Sequence, residues 1–163
     1  MTFWTDSKLS PTRRHRFLIQ ADGPGKIKGT WWWAKSVTKP AYTIEAEEYT
    51  LGNNKFKYPG ILTWGDVEIS IVDTGKQTSS VYANLKKMGY LTPTNSSNGI
   101  QKEGDGAVNK ITILQVNEKG DEVEKWELKN AFISSVQFGN LEYGSDELVE
   151  IRLTIKYDWA ELT

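Results

Sequence analysis

The sequence predicts a mainly β protein of the α+β kind, built as an antiparallel β-sandwich or a partly closed barrel with one packed helix. Three observations lead to this prediction. Short runs in which apolar and polar residues alternate recur along the chain, as they do in half-buried strands. Gly, Asn, Asp and Pro separate these runs and mark turns. Only one segment carries a convincing helical spacing of apolar residues.

Length and composition predict a single domain that covers residues 1–163. Hydrophobic residues make up 38% of the chain, which is enough for one substantial core. The formal net charge of −1 gives no overall attraction for nucleic acid or for an anionic membrane surface. The absence of Cys excludes a disulfide framework and thiolate metal sites. We expect no membrane anchor, because no apolar run approaches the length of a spanning helix.

The first predicted strand is RFLIQA, and a Gly-rich connection leads from it to a second strand, GTWWWAKSVTK. In that strand Trp31 and Trp33 would share one face and Trp32 would take the other, so both faces would need to be covered. Three interpretations fit this run. It is a central sandwich strand, a surface on which sugars stack, or a subunit interface.

The segment TIEAEEYTLGNNKFKYPG is a predicted hairpin, because LGNN supplies residues that tolerate a tight reversal. An isolated two-stranded hairpin buries too little surface to be stable, so this one needs a partner surface. The strand DVEISIVD follows it. The helix is predicted in TSSVYANLKKMGY, where Val81, Leu85 and Met88 are spaced i, i+4, i+7 and Gly89 ends the pattern.

The C-terminal half is predicted to be β again. Residues 91–109 are polar and Gly-rich and predict a long loop. KITILQVN and EVEKWELKN form a second hairpin, and AFISSVQF is a further strand. LVEIRLTIKYDWAEL is predicted as one final strand, with its apolar residues on the core side up to Tyr157 and Trp159 and its charged residues on the other side.

The residues argue against an enzyme. His15 is the only histidine, and the arginines beside it disfavour a charged imidazole. The stretch DGPGKIKG lacks the spacing of a phosphate-binding loop, and no calcium-loop pattern of spaced carboxylates is present. We therefore expect no catalytic residues, no metal and no cofactor.

Two blocks of the sequence carry a resemblance to a known family. They are AFISSVQFGNLEYGSDELVEIRLTIKYDWAEL, which EVEKWELKN precedes, and PAYTIEAEEYTLGNNKFKYPGILTWGDVEISIVDT. Together with RRHRFLIQADG, they resemble the tail tube proteins of contractile-tailed bacteriophages of the T-even type. The resemblance spans residues 13–90 and 108–161. The run of three tryptophans is bulkier than the family pattern, and the loop 91–109 has no counterpart in it.

The resemblance implies a structural virion protein. Hexameric rings would stack into the inner tail tube, and the sheets of the subunits would join into a continuous barrel around a lumen. DNA would pass through this lumen without specific binding during ejection. The implied partners are further copies of the chain, the tail sheath protein, and baseplate and tail terminator proteins. The implied location is the phage tail, after assembly in the host cytoplasm.

The resemblance also implies three sets of contact residues. A protruding hairpin would bridge subunits through the residues at its tip, which are Leu51, Gly52, Asn53, Asn54, Lys55 and Phe56. A basic cluster would contact a neighbouring ring or the sheath through Arg13, Arg14 and Arg16. The side chains expected to face the lumen or a neighbour are Glu68, Glu150 and Arg152.

Two alternative functions are kept beside this one. The chain would be the tube protein of a related contractile injection machine or of a type VI secretion system. In a different class, it would be a carbohydrate-binding β-sandwich that stacks sugars on Trp31, Trp32 and Trp33.

Overall fold

A computed structural model describes residues 13–22, 29–31, 33–87 and 110–163. The helix is α1 (Lys76–Lys87). The strands, in chain order, are β1 (Phe17–Asp22), β2 (Gly29–Thr30), β3 (Ala34–Val37), β4 (Tyr42–Leu51), β5 (Asn54–Trp64), β6 (Val67–Val72), β7 (Lys110–Val116), β8 (Glu122–Lys129), β9 (Phe132–Gln137), β10 (Glu150–Lys156) and β11 (Trp159–Leu162). The predicted loop 91–109, the predicted helix stop at Met88 and Gly89, and Trp32 lie outside the described residues.

The strands form two antiparallel sheets and a separate hairpin. The five-stranded sheet has the order β11-β8-β7-β1-β2, and the four-stranded sheet has the order β3-β6-β10-β9. Strands β4 and β5 pair only with each other in the hairpin. The mainly β prediction with one helix is therefore confirmed. Because the two ladders stay separate in the described part of the chain, the sandwich alternative holds and a closed barrel is not formed.

The core lies between the two sheets, and the predicted alternation generates it. In β6 the apolar side chains of Val67, Ile69 and Ile71 are buried, whereas Glu68 between them is exposed. Burial of one such side chain contributes about 1.5–3 kcal/mol as an upper estimate. Both sheets and the helix supply the buried cluster, which comprises Ile19, Ala21, Val67, Ile69, Ile71, Val81, Ile111, Ile113, Leu128, Ala131, Ile133, Ile151, Leu153 and Ile155.

The helix packs onto this core through Val81 and Leu85, as its spacing predicts. Its start is fixed by the carboxylate of Asp73, just after β6. One oxygen accepts a hydrogen bond from the backbone N–H of Gly75 at 2.7 Å, and the other accepts one from the Thr78 hydroxyl at 2.5 Å. The Thr78 bond is the main reason that the pKa of Asp73 is lowered. These bonds define where the chain leaves the sheet and enters the helix.

The tryptophan run does not lie in one strand, and this part of the prediction is wrong. The chain ends β2 at Thr30, passes through the run and enters β3 at Ala34 in the other sheet. The Trp31 N–H donates to the Ile19 carbonyl at 2.7 Å, whereas the Trp33 carbonyl accepts from the Val72 N–H at 2.9 Å. Each residue is thus tied to a different sheet. Trp31 and Trp33 therefore lie where the chain passes from one layer to the other, so the alternation of one strand does not apply to them.

The final strand is also two strands rather than one. Strand β10 belongs to the four-stranded sheet and β11 to the five-stranded sheet, so the chain changes layers at Tyr157 and Asp158. The backbone N–H of Asp158 donates to the Lys129 carbonyl at 3.1 Å, and its carboxylate accepts from the Asn130 amide at 2.8 Å. These bonds hold the corner. Trp159 therefore does not continue the buried face of β10 and is 43% exposed.

The outer face of the five-stranded sheet carries a carboxylate surrounded by three ammonium groups. Glu127 on β8 lies 2.6 Å from the Nζ of Lys129 and 2.9 Å from those of Lys125 and Lys110. Its side chain is only 12% exposed. Hydrogen bonds from Lys129, Lys125 and Lys110 lower the pKa of Glu127 to about 2. The cluster links β7 to β8 and balances a carboxylate that would be costly to bury alone.

The buried face of β10 yields a first prediction. Leu153 is 1% exposed, and a carboxylate at this position would have no partner in the apolar core. We expect L153D to abolish soluble folding, since losing the side chain and burying a charge together exceed the several kcal/mol that stabilise a domain. K156S is the matched control on the opposite face, where Lys156 is exposed and lies 3.9 Å from Asp66. Circular dichroism melting curves should show a folded control, and a stably folded L153D protein would refute the strand orientation.

The Glu127 cluster yields a prediction about pH. The folded-state pKa of about 2 lies below the ordinary value of 4.5, so the stabilisation is complete above pH 4.5 and disappears as the pH falls towards 2. We expect E127Q to lower the free energy of unfolding at pH 7 by about 1–2 kcal/mol, because three partly exposed lysines lose their shared partner. The difference in the free energy of unfolding between the wild-type protein and E127Q should disappear at about pH 2–3. Chemical denaturation across this range measures it, and a pH-independent gap would contradict the assignment.

Candidate assembly surfaces

The hairpin extends from the domain as a free ribbon. Its strands pair from Tyr42 with Trp64 at the root to Leu51 with Asn54 at the tip. Arms of this length reach about 30 Å. All residues of β4 are exposed, and the two arms contact almost nothing but each other. The predicted protruding hairpin is therefore present, but its returning strand continues to Trp64, beyond the predicted end at Gly60.

The tip is a two-residue reversal at Gly52 and Asn53. Gly52 has a φ of +62°, which suits the first central position of the type II′ turn that hairpins favour. A side chain at this position would be strained, because the left-handed region disfavours L-residues with a Cβ. Of the predicted tip residues, Asn54 begins the returning strand, and Leu51, Lys55 and Phe56 lie beside the turn.

A second glycine shapes the middle of the ribbon. The register shifts between Ile44 and Ala46, where one strand carries a bulge. Gly60 lies beside this bulge, and a Cβ placed on it would come within 2.7 Å of the Glu45 carbonyl oxygen. Only glycine permits this close approach of the two backbones. Bulges bend and twist a ribbon, so the outer half of the hairpin is set at its own angle to the root.

The outer half of the ribbon has one mainly apolar face, which also carries Glu47 and Asn54, and one charged face. Paired residues share a face, so the pairs Tyr49 with Phe56 and Leu51 with Asn54 place their side chains together. Tyr58 lies on the same face, and these four large side chains are 45–62% exposed. The other face carries Glu48, whose carboxylate lies 3.6 Å from Lys55 and 3.5 Å from Lys57. In the part of the chain that the structure describes, no other segment packs over this apolar face.

Aromatic contacts anchor the root of the ribbon. Tyr42 packs edge-on against Trp64 with ring centroids 5.4 Å apart, and Trp64 lies 5.9 Å from Tyr157 at the end of β10. The Tyr157 hydroxyl is buried without a hydrogen-bond partner among the described residues. Its burial, with a contribution from Asp66, raises the pKa of Tyr157. The root is thereby fixed to the core domain while the outer half stays free.

The outer face of the four-stranded sheet is polar and electrically balanced. The predicted lumen-facing residues Glu68 and Arg152 line one shallow groove on this face. Glu150 lies on the same side of β10, where it pairs with Lys35. The structure therefore brings the three predicted residues to one surface. With these three included, the face carries three basic and three acidic side chains. They are Lys35, Arg152 and Lys156, and Asp66, Glu68 and Glu150.

The basic cluster lies immediately before β1, at its exposed start. Arg13 and Arg14 are exposed, and Arg16 pairs with Glu118 across the turn after β7 at 3.2 Å. The backbone carbonyl of Arg16 also accepts a hydrogen bond from the Val116 N–H at 3.1 Å. The cluster is thus held at one end of the five-stranded sheet. It is separate from both the hairpin tip and the balanced polar face.

The sequence prediction missed several residues of these surfaces. Tyr49 and Tyr58 complete the apolar face of the ribbon, and their alternation with charged residues is the signal that could have identified them. The loop 138–149 between β9 and β10 holds a second group. Its side chains Leu141, Tyr143 and Leu148 are at least 72% exposed. They have no periodic signal, because the loop has no regular secondary structure.

Chemical sites are not found in the part of the chain that the structure describes. No cluster of three or more His, Cys, Asp or Glu side chains that could hold a metal ion occurs there. Among the same residues, no helix is both long and apolar enough to cross a membrane.

Solved structures share the fold along nearly the whole chain. A chain of the anti-feeding prophage tube terminating cap aligns with a TM-score of 0.73 and 21% identity, covering 100% of this chain and 99% of that one. A chain of the PVC sheath/tube terminator of an extracellular contractile injection system gives a TM-score of 0.73 at 19% identity, covering 95% and 98%. One from the PVC sheath-tube complex gives 0.71 at 20% identity, covering 94% and 91%.

The sequence comparisons identify the family directly. No curated protein sequence matches the chain significantly. The family model described as T4-like virus tail tube protein gp19 matches residues 13–161, which include every described strand except the last residue of β11. The resemblance seen in the sequence is thereby confirmed, and this chain belongs to the family of T4-like virus tail tube proteins.

Proposed function

We propose that the chain is the structural subunit of an inner tail tube. Six copies form a ring, and the rings stack into a tube inside a contractile sheath. The tube is the conduit through which DNA leaves during ejection. The role is architectural and not catalytic, and the single unit that performs it is the tail-tube domain of residues 1–163.

The uncovered apolar face of the hairpin carries this proposal. Tyr49, Leu51, Phe56 and Tyr58 cover one side of a ribbon that does not pack on its own domain. A ribbon of two strands is marginally stable in water, and it gains the missing burial when its apolar face docks on another molecule. In a homo-oligomer the partner is a neighbouring copy. The hairpin tip, from Leu51 to Phe56, is therefore the proposed bridge between subunits.

The balanced polar face fits the wall of a conduit. Glu68, Glu150 and Arg152 lie on the side of the four-stranded sheet that faces away from the core. We place this side towards the lumen, with the sheets of neighbouring subunits joined edge to edge through β3 and β9 into a continuous barrel. Closure of this kind removes open strand edges. A wall of balanced charge holds no excess of cations to retain DNA phosphates, so DNA can slide through it.

The other proposed partners depend on where the tube lies in a tail. The outside of the tube would meet the tail sheath protein, and its ends would meet baseplate and terminator proteins. Chains with the same fold come from a sheath-tube complex and from a tube terminating cap, which supports these partner classes. The proposed location is the virion tail, assembled in the host cytoplasm. The exposed basic cluster is our candidate for a contact with a neighbouring ring or with the sheath.

The tube of a related contractile injection machine is the second candidate. The fold shared with chains of extracellular contractile injection systems favours it, and a type VI tube is the same architectural solution with different cargo. The carbohydrate-binding alternative has less support. Trp31 packs against the core and Trp33 lies in the corner between sheets, so these two residues do not form a stacking platform.

The hairpin bridge is tested by a double substitution, L51D with F56D. Both side chains are exposed in the single chain, so the free energy of unfolding should change by only about 0.5 kcal/mol. Assembly should be lost, because two charges would have to be buried in the contact. Negative-stain microscopy and sedimentation at high protein concentration measure rings and tubes. Melting curves establish that the variant is folded.

Y82D is the matched control for this test. It makes the same kind of change at an aromatic residue that is 52% exposed on the helix, away from the hairpin. This variant should still form rings and tubes. Tubes formed by the L51D, F56D protein would contradict the bridge, and a wild-type protein that stays monomeric at every concentration would contradict the tube.

The basic cluster is tested by neutralising Arg13, Arg14 and Arg16 to Gln. Exposed charges contribute little to folding, so the unfolding free energy should fall by no more than about 1 kcal/mol, mostly from the loss of the Arg16 pair with Glu118. Assembly of rings, or binding of the sheath protein, should weaken and become less sensitive to salt. Sedimentation at low and high salt measures this. Equal losses of folding and assembly would indicate a folding role instead.

A further inference from the structure

A groove of about 780 Å³ lies where β9 ends and β10 begins. The loop 138–149 forms most of its wall, which is mainly polar, and the exposed side chains of Leu141 and Leu148 contribute an apolar part. Glu142 and Glu147 line it as well, and neither carboxylate has an ion-pair partner among the described residues. Among the described residues, Arg152 is the one basic side chain in the lining. The groove is thus both apolar and acidic.

The groove and the hairpin lie at opposite ends of the four-stranded sheet. The hairpin connects the end of β3 with the start of β6, and the start of β6 lies beside the end of β10, where Val67 pairs with Ile155. At the other end of the same strands, Val72 pairs with Glu150 beside the groove. Each copy of the chain therefore carries a protruding element at one end and a receiving surface at the other.

We propose that this groove receives the hairpin tip of a second copy of the chain. The hairpin tip and the groove complement each other in their apolar side chains and in their charges. Leu51 and Phe56 would supply apolar side chains to meet Leu141 and Leu148. Lys55 and Lys57, with side chains 69% and 68% exposed, lie on the other face of the ribbon. The inference rests on the proposed tube and names the surface that its hairpin contacts.

Because one face of the tip is charged, an acidic groove fits the tip better than a purely apolar surface would. Lys55 and Lys57 share a single partner on their face, Glu48, at 3.6 Å and 3.5 Å, so this face keeps one excess positive charge, while Glu47 lies on the opposite face beside Tyr58. The unpaired Glu142 and Glu147 provide the opposite charge. Complementary charges of this kind select the register and the partner of an interface.

The basic cluster is the other segment of this chain that could fit an acidic groove, and it fits less well. Arg13 and Arg14 match the charge, but Arg16 already pairs with Glu118. Among the described residues, large exposed apolar side chains accompany the hairpin tip, and none directly adjoins Arg13 and Arg14. A fit to the arginines would leave Leu141 and Leu148 exposed. The tip is the occupant that satisfies both the apolar and the acidic parts of the groove.

The arrangement makes the contact head-to-tail. Every copy gives one tip and offers one groove, so the interface uses two different surfaces and does not pair a surface with itself. Contacts of this type either close into rings or continue into open stacks. Both outcomes belong to a tube. An isolated dimer would leave one tip and one groove unused.

Disulfide trapping tests the contact in the full-length protein, because the chain has no cysteine of its own. Asn53 at the tip and Ser145 in the groove are changed to Cys in one chain, N53C with S145C. Mild oxidation of the assembled protein should give a ladder of covalently linked multimers on a non-reducing gel. The control is R14C with S145C, which places the thiol in the basic cluster. We expect about tenfold more multimer from the tip variant, since docking raises the effective concentration of its thiol.

The outcomes separate this inference from the tube itself. If tubes form but N53C with S145C gives no ladder, the groove is not the receptor of the tip. The same conclusion follows if R14C with S145C gives the ladder instead. In both cases the tube proposal stands. A protein that never assembles would overturn both. Melting curves for each variant confirm that its subunit is folded.

A charge exchange tests the same contact without new thiols. K55E with K57E should raise the concentration needed for assembly by about tenfold or more, and so should E142K with E147K, because like charges then meet across the interface. The four changes combined in one chain should restore assembly, since the pairing is re-formed with its signs reversed. Failure of the combined variant to recover, although it folds and both pairs of changes disrupt assembly, would contradict the contact.

Discussion

The structure depends on a simple constraint: a two-stranded ribbon cannot bury both of its faces by itself. The domain buries its apolar strand faces between two sheets, but the hairpin is outside that core. Its apolar face, from Tyr49 to Tyr58, remains in water in the single chain. The hydrophobic effect therefore favours any arrangement that covers this face. Docking of this face on another molecule would complete its packing.

The domain itself is built to remain rigid while the ribbon engages a partner. The chain passes from one sheet to the other four times, between β2 and β3, β6 and β7, β8 and β9, and β10 and β11, and each change ties one layer to the other. Such connections, with the core between the layers, resist sliding of the sheets. The aromatic contact between Trp64 and Tyr157 then joins the ribbon root to this rigid body.

The surfaces of the subunit differ in how their charges are arranged. The outer face of the five-stranded sheet concentrates lysines around Glu127, which is a stabilising arrangement within one chain. The outer face of the four-stranded sheet balances its charges, which suits passage of a polyanion. Excess charge is left where contacts between chains are proposed, at Arg13 and Arg14, at the lysines of the tip and at the carboxylates of the loop 138–149. Electrostatics thus separates the surfaces that hold the subunit together from those that select a partner.

The sequence by itself determined the strands, the helix, the hairpin with its turn at Gly52, and the core residues, because these follow from local periodicity and turn chemistry. The family could also be identified from the order of these patterns. The tertiary structure decided which sheet each strand joins. Alternation is the same in either layer, so LVEIRLTIKYDWAEL and the tryptophan run each appeared as one strand although the chain turns a corner within them. It also decided the groove, since Leu141, Glu142 and Glu147 acquire a common surface only when the ends of β9 and β10 bring an irregular loop into a fixed position.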